Sequence, residues 1–378
     1  MKKLYRLDAW HKLLALRFKS LKWRHGVLIA LLILVTLTKM IPLWGFIYTT
    51  RIYPVIGTLL SPISGIFPFA VGDIFIALSI AWVILYPIYE IRLRKKRVFG
   101  RVAEYLLWVY AWFYIAWGLN YSQPNIYYRI GMKPVEVSKA KFKKFAYQYA
   151  DSLNALSIAS LSNARKSISP DSIVDDALKN RVRDAVLKEY NKIGYREGIN
   201  KPFNQHPHAK TMVFTPLSSM AGVTGSMGPF FCEFTLNGDI LAHDYPATYA
   251  HEFAHFLGVA NEGEANFYSY IVCTASADKQ VRFSGYYHIF FHVLNNVYDI
   301  LGEKEGERFL KHIRPEIIQR ARNDRHYWLS KRCKALDAAQ DFIFELYLRG
   351  NHVAEGRKSY SGVIGLILAW EEKNKKPA

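Results

Sequence analysis

The sequence predicts an α-helical membrane region of three spans, residues 1–121, followed by a mainly α, α+β domain over 122–378. Three observations carry this. Long apolar runs occur only in the first third of the chain. Lysine and arginine cluster at the ends of those runs, with residues 1–103 holding 16 Lys/Arg against 3 Asp/Glu. Beyond residue 121 no run is long and apolar enough to span, and apolar residues recur at amphipathic-helix spacing.

The first run, 26–47, is a 22-residue stretch whose single charge is Lys39, long enough to cross a hydrocarbon layer of about 30 Å as a helix. The second, about 72–91, is apolar between Asp73 and Glu90. The third, 104–121, carries Trp and Tyr at both ends, as expected at headgroup depth. Residues 53–70 are also apolar, but Pro54, Pro62 and Pro68 with Gly57 and Gly65 point to a re-entrant or interfacial segment.

Orientation follows from the cations. Eight precede the first run (Lys2, Lys3, Arg6, Lys12, Arg17, Lys19, Lys22 and Arg24), and six lie between the second and third (Arg92, Arg94, Lys95, Lys96, Arg97 and Arg101). The connection between the first two runs holds only Arg51. The positive-inside rule therefore places the N-terminus and the 92–101 loop in the cytoplasm and everything after 121 outside, and the first run reads as an uncleaved anchor. The net charge of +19 suggests a nucleic-acid partner at first sight, but +13 of it sits in residues 1–103. It is a topology signal; the partner it implies is the lipid bilayer, with no nucleic acid.

In the second part, residues 137–158 and 171–193 read as amphipathic helices joined by a Ser-rich link at 159–170. Residues 229–237, after a loop with Gly222, Gly225 and Gly228, read as a short strand. Cys232, Cys273 and Cys333 allow at most one disulfide, and buried thiols are the preferred state.

Chemistry concentrates in 245–268, YPATYAHEFAHFLGVANEGEANFY. Pro246 suits the first position of a helix and Gly258 the residue that ends it. Between them His251 and His255 stand one turn apart on one face, the spacing at which two imidazoles ligate one Zn2+. Glu252 would reach a water on the metal rather than the metal itself. A second helix starts near Asn261. Glu262 shares a face with Asn266, making it the favoured third ligand with Asn266 as its support. Glu264 points about 200° away in a regular helix; its plainer role is to return its carboxylate to the Asn261 cap, and only a distorted first turn would make it the ligand.

The arrangement resembles the gluzincin-type metallopeptidases, including the CAAX-processing and heat-shock membrane proteases, in which the first glutamate of Glu-x-x-Ala-Asn is the third zinc ligand. More closely, the chain resembles an uncharacterised domain-of-unknown-function family of bacterial membrane proteins held to be zincin-like. The shared features are three N-terminal spans, WGLNY (117–121), TG..GPF.CE...N (224–237), HE.AH..G...E.EANF (251–267) and YLR.N....G..SY..VI.L.LA (347–369). The resemblance implies an extracytoplasmic zincin-like domain with a short edge strand before the His-Glu-x-x-His helix. It implies His251, His255 and Glu262 as zinc ligands and Glu252 as the catalytic base. Metzincins, which place a third histidine where Asn261 stands, are disfavoured.

The expected activity is hydrolysis of a peptide or protein substrate outside the cytoplasm of a bacterium, at its inner membrane. Two alternatives remain: a catalytically silent zinc-binding scaffold and a zinc hydrolase of cell-wall amides. Tyr286, Tyr287 and His288 offer an oxyanion donor, although an aromatic core stripe is the preferred role. Glu233 reads equally as a solvated or a site residue, and His206 and His208 as ordinary loop residues. The sequence assigns no oligomeric state.

Overall fold

A computed structural model describes residues 22–94, 97–135, 138–163, 174–336, 338 and 362–375. Eight of the expected topogenic cations (Lys2, Lys3, Arg6, Lys12, Arg17, Lys19, Lys95 and Lys96) lie outside the described residues, as do 347–361 of the C-terminal signature.

The chain is mostly helical, with one small sheet. Helix α1, Trp23–Met40, stops at Ile41, which is extended (φ −112°, ψ 103°). The ring of Pro42 disfavours helical backbone in the residue before it, so the apolar run 26–47 is a helix, a break and a second helix, α2, Pro42–Ile47. A single π turn, Tyr48–Ile52, leads into α3, Tyr53–Gly65. At 13 residues, α3 is about 20 Å long, shorter than the bilayer core. It lies on the rest of the fold: Tyr53 is fully buried, Asn204 Nδ2 donates to Ser61 Oγ, and Lys210 Nζ to the Ser64 carbonyl.

Helix α4, Val71–Arg92, follows. Among the described residues, α1 and α4 are the two helices long and apolar enough to cross a membrane, and only 17% and 6% of their apolar windows are buried. Helix α5, Val98–Ala116, carries Arg101 and Glu104, and Arg24 on α1 pairs with Glu104 at 2.9 Å. The apolar run 104–121 is therefore not one helix. It ends at Ala116, and its remainder forms a 3-10 turn, Gly118–Ser122, in which Leu119 and Asn120 are buried.

A short helix α6, Ile126–Arg129, precedes α7, Lys139–Asn163, and α8, Asp176–Ile193. Helix α7 takes the first five residues of the expected Ser-rich link, and 164–170 lie outside the described residues. The sheet has strands β1 (Lys210–Thr211), β2 (Gly225–Gly228) and β3 (Glu233–Leu236), with α9 (Thr215–Met220) between the first two. Its order is β1-β3-β2, β3 running parallel to β1 and antiparallel to β2. The strand expected at 229–237 is thus shorter than expected, and it is central rather than an edge. All four of its residues are buried because it is covered on both sides. The edge strand that packs on the helix Tyr245–Phe256 is β2.

Helix α10, Tyr245–Phe256, is buried along its whole length. Helices α11 (Glu262–Ala275) and α12 (Lys279–His288) pack against it, and α13 (Phe290–Leu301), α14 (Glu303–His312), α15 (Pro315–Lys331) and α16 (Val363–Lys375) complete the described part. Tyr53 and Trp117 share one apolar cluster with Phe253, Phe256 and Phe267, so the core runs unbroken from the N-terminal helices into the domain.

Candidate metal centre

Helix α10 ends in a Schellman turn: Val259 N–H bonds to the Ala254 carbonyl and Gly258 N–H to the His255 carbonyl, both at 3.0 Å. Gly258 sits at φ +98°, which a side chain would strain. Such a helix end leaves carbonyls without partners. Here Trp117 Nε1 donates to His255 O, Tyr53 Oη to Phe256 O, Asn200 Nδ2 to Leu257 O and Gln123 Nε2 to Gly258 O. The WGLNY segment and α3 therefore clamp the end of α10.

The turn brings the Val259 carbonyl to 2.6 Å from His255 Nδ1. On α11, Asn266 Oδ1 stands 2.8 Å from His251 Nδ1 and 2.9 Å from His288 Nε2. Each ligand-candidate imidazole thus hands its Nδ1 proton to an oxygen and turns a bare Nε2 inward. The two Nε2 atoms are 3.1 Å apart, and Glu262 Oε2 lies 3.2 Å from that of His251 and 3.5 Å from that of His255. Ligands on tetrahedral zinc at about 2.0–2.1 Å are about 3.3 Å from one another. The spacing of the three atoms matches that of ligands on one tetrahedral ion, so the donor set fits zinc.

Glu252 extends beside this cluster. Its Oε2 is buried with no hydrogen-bond partner, and burial raises its pKa, against the lowering influence of His251 and His255. Burial alone would raise Glu262 as well, but the two imidazoles, when they carry protons rather than a metal, overcome it and hold that carboxyl well below its usual range. The opposite side of Glu252 rests on β2: a Cβ on Gly225 would lie 2.4 Å from Glu252 Oε1. This close approach explains the glycine in the TG..GPF segment.

Asn261 caps α11 by accepting from Glu264 N–H at 3.0 Å. The Glu264 carboxylate does not return to the cap. It accepts from Ile126 N–H at 2.9 Å and pairs with Arg129 at 2.6 Å, with side-chain exposures of only 7% and 3%. Glu262, not Glu264, is the glutamate placed with the histidines. Asn266 departs from its expected role: it supports His251 rather than Glu262.

The other sequence candidates fall elsewhere. Tyr287 donates to Asp324 at 2.5 Å and Tyr286 packs on Tyr149 and Tyr270, so both tyrosines belong to the packed interior. His288 reaches the centre through Asn266, and burial, with the charge of His251, pushes it down to about 3. His292, which sequence spacing did not single out, is lowered by the same two causes. Glu233 is buried, bonded to Lys210 Nζ at 2.6 Å and accepting from Gly72 N–H at 2.5 Å. It fastens the start of α4 to the sheet and is neither solvated nor near the histidines. His206 and His208 join no metal-capable group among the described residues, whereas His243, Asp244 and Asp324 do come together. All three cysteines are free, with Cys232 and Cys273 buried.

Compared with known proteins, the chain belongs to a family described as protein of unknown function (DUF3810), which it matches over residues 48–368. No curated protein and no solved structure matches it.

Proposed function

We propose that this family member is a membrane-anchored zinc metallopeptidase, with α1, α4 and α5 as spans and a zincin-like domain outside the cytoplasm. The observation that carries the metal is the convergence of two bare Nε2 atoms and one carboxylate oxygen at tetrahedral spacing. The buried, unpartnered Oε2 of Glu252 beside them favours an enzyme over a silent zinc scaffold, since a structural site has no use for it.

Bound zinc would polarise a carbonyl and acidify water at an open position. Glu252 then accepts a proton from the attacking water and passes it to the leaving amine. Burial, by raising its pKa, suits it to hold that proton in between. An extended peptide adding to the free edge of β2 would lie against the strand that touches Glu252 at Gly225.

The exposed apolar faces of α1 and α4 and the cytoplasmic bias of the cations support the bilayer placement. A bacterial inner-membrane protein of this topology carries its C-terminus in the periplasm, so an alkaline phosphatase fused there is active; an inactive fusion contradicts the placement. Cleavage of a peptide library by the purified chain, stopped by a chelator and restored by zinc, tests the activity. Cleavage that survives chelation removes the metal from the mechanism.

A further inference from the structure

Beside the turn that ends α10 lies a cavity of about 290 Å³ whose wall includes Phe46, Thr49, Thr50, Arg51, Asn200 and Val259. Val259 is the residue whose carbonyl holds His255 Nδ1, and Asn200 Nδ2 ties the Thr49 carbonyl to that of Leu257 at 2.9 Å each. One polar group in the wall has no use in the fold. Arg51 makes no hydrogen bond or ion pair among the described residues, whereas Arg129, also in the wall, is fully engaged by Glu264, Gly198 O and Pro124 O.

Arg51 is also the single Lys or Arg between Lys39 and Arg92. It sits on the π turn, where the Tyr53 N–H reaches back five residues to the Tyr48 carbonyl, an irregularity frequent at functional sites. Around it Phe46, Ile47, Ile52 and Val55 are exposed. An unpaired cation beside a cavity, ringed by exposed apolar side chains, matches an anion that carries hydrocarbon. We propose that this cavity binds the phosphate diester of a phospholipid, with Arg51 donating to its oxygens and the acyl chains lying over the apolar ring. The proposal rests on the membrane placement and is independent of the peptidase activity.

The test is thermal unfolding of the full-length protein in a neutral detergent, titrated with dihexanoyl phosphatidylglycerol, inorganic phosphate or dihexanoylglycerol. The phospholipid is expected to raise the midpoint saturably, the phosphate-free lipid to leave it unmoved, and Arg51→Gln to need at least ten-fold more phospholipid. An equal, Arg51-dependent shift with inorganic phosphate would assign the site to a soluble phosphate and overturn the lipid. No saturable shift, or an unchanged response in Arg51→Gln, would overturn the site.

Discussion

Replacing Glu264 by glutamine separates a structural carboxylate from the proposed ligand only two residues away. Glu264 faces Arg129 at 2.6 Å with both side chains almost wholly buried, and its other oxygen accepts from Ile126 N–H. The neutral amide leaves the guanidinium in the interior without a counter-charge. It also turns an NH2 toward one of the two former donors. Breaking a buried pair from one side costs about 3–5 kcal/mol, a large share of a net stability of about 5–15 kcal/mol. The remaining bonds from Arg129 to Gly198 O and Pro124 O place the expected loss near the lower end, about 3 kcal/mol. The assay is denaturant unfolding of the zinc-loaded protein followed by tryptophan fluorescence, with zinc per chain measured by mass spectrometry. Glu264→Gln should unfold earlier and keep its zinc; Glu262→Gln should lose its zinc. The reverse pattern of zinc retention, or a Glu264→Gln chain as stable as the parent, would refute the assignment.

Gly225→Ala puts a Cβ 2.4 Å from Glu252 Oε1, so it is expected to displace the base and reduce cleavage at least 100-fold while zinc content stays at one per chain; unchanged cleavage contradicts the contact. Asn266→Ala removes the acceptor for both His251 and His288 and should weaken zinc affinity about 10–100-fold, measured by competition with a chelating dye. Burial and neighbouring Asp324 push Asp244 up to about 6 from 3.8. An acid raised by folding stabilises the fold below its unfolded value and loses that contribution as pH rises through about 6. Relative to Asp244→Asn, the wild type should therefore lose about 1–2 kcal/mol between pH 4 and pH 7, a figure reduced for solvent screening of a side chain 28% exposed. A difference that is flat in pH would show that Asp244 titrates normally.

The geometry of α10 was legible because it is local: a repeat of about 3.6 residues per turn fixes which of His251, Glu252 and His255 share a face, and a regular first turn in α11 places Glu262 rather than Glu264 with the histidines. The three apolar runs were legible, and the second is one helix, Val71–Arg92, as read; the first and third are not continuous, since one proline at residue 42 breaks the first and the third curls into a turn at Trp117. Sheet order depends on pairings across the chain, which is why β3 read as an edge. The roles of Trp117, Tyr53, Gln123 and Asn200 were out of reach for the same reason: each donates to a carbonyl at the end of α10 from 57 to 203 residues away. The link from His288 to Asn266 spans 22 residues and that from Asn266 to His251 spans 15, yet both depend on how α10, α11 and α12 cross, which no spacing rule encodes.

The most direct measurement pairs the wild type with Glu252→Gln, each purified at full length and scored for zinc content and for cleavage of one peptide library. The expected result is one zinc in both chains and cleavage by the wild type alone. Zinc in both with cleavage by neither would contradict the enzyme and leave a zinc-binding scaffold in its place.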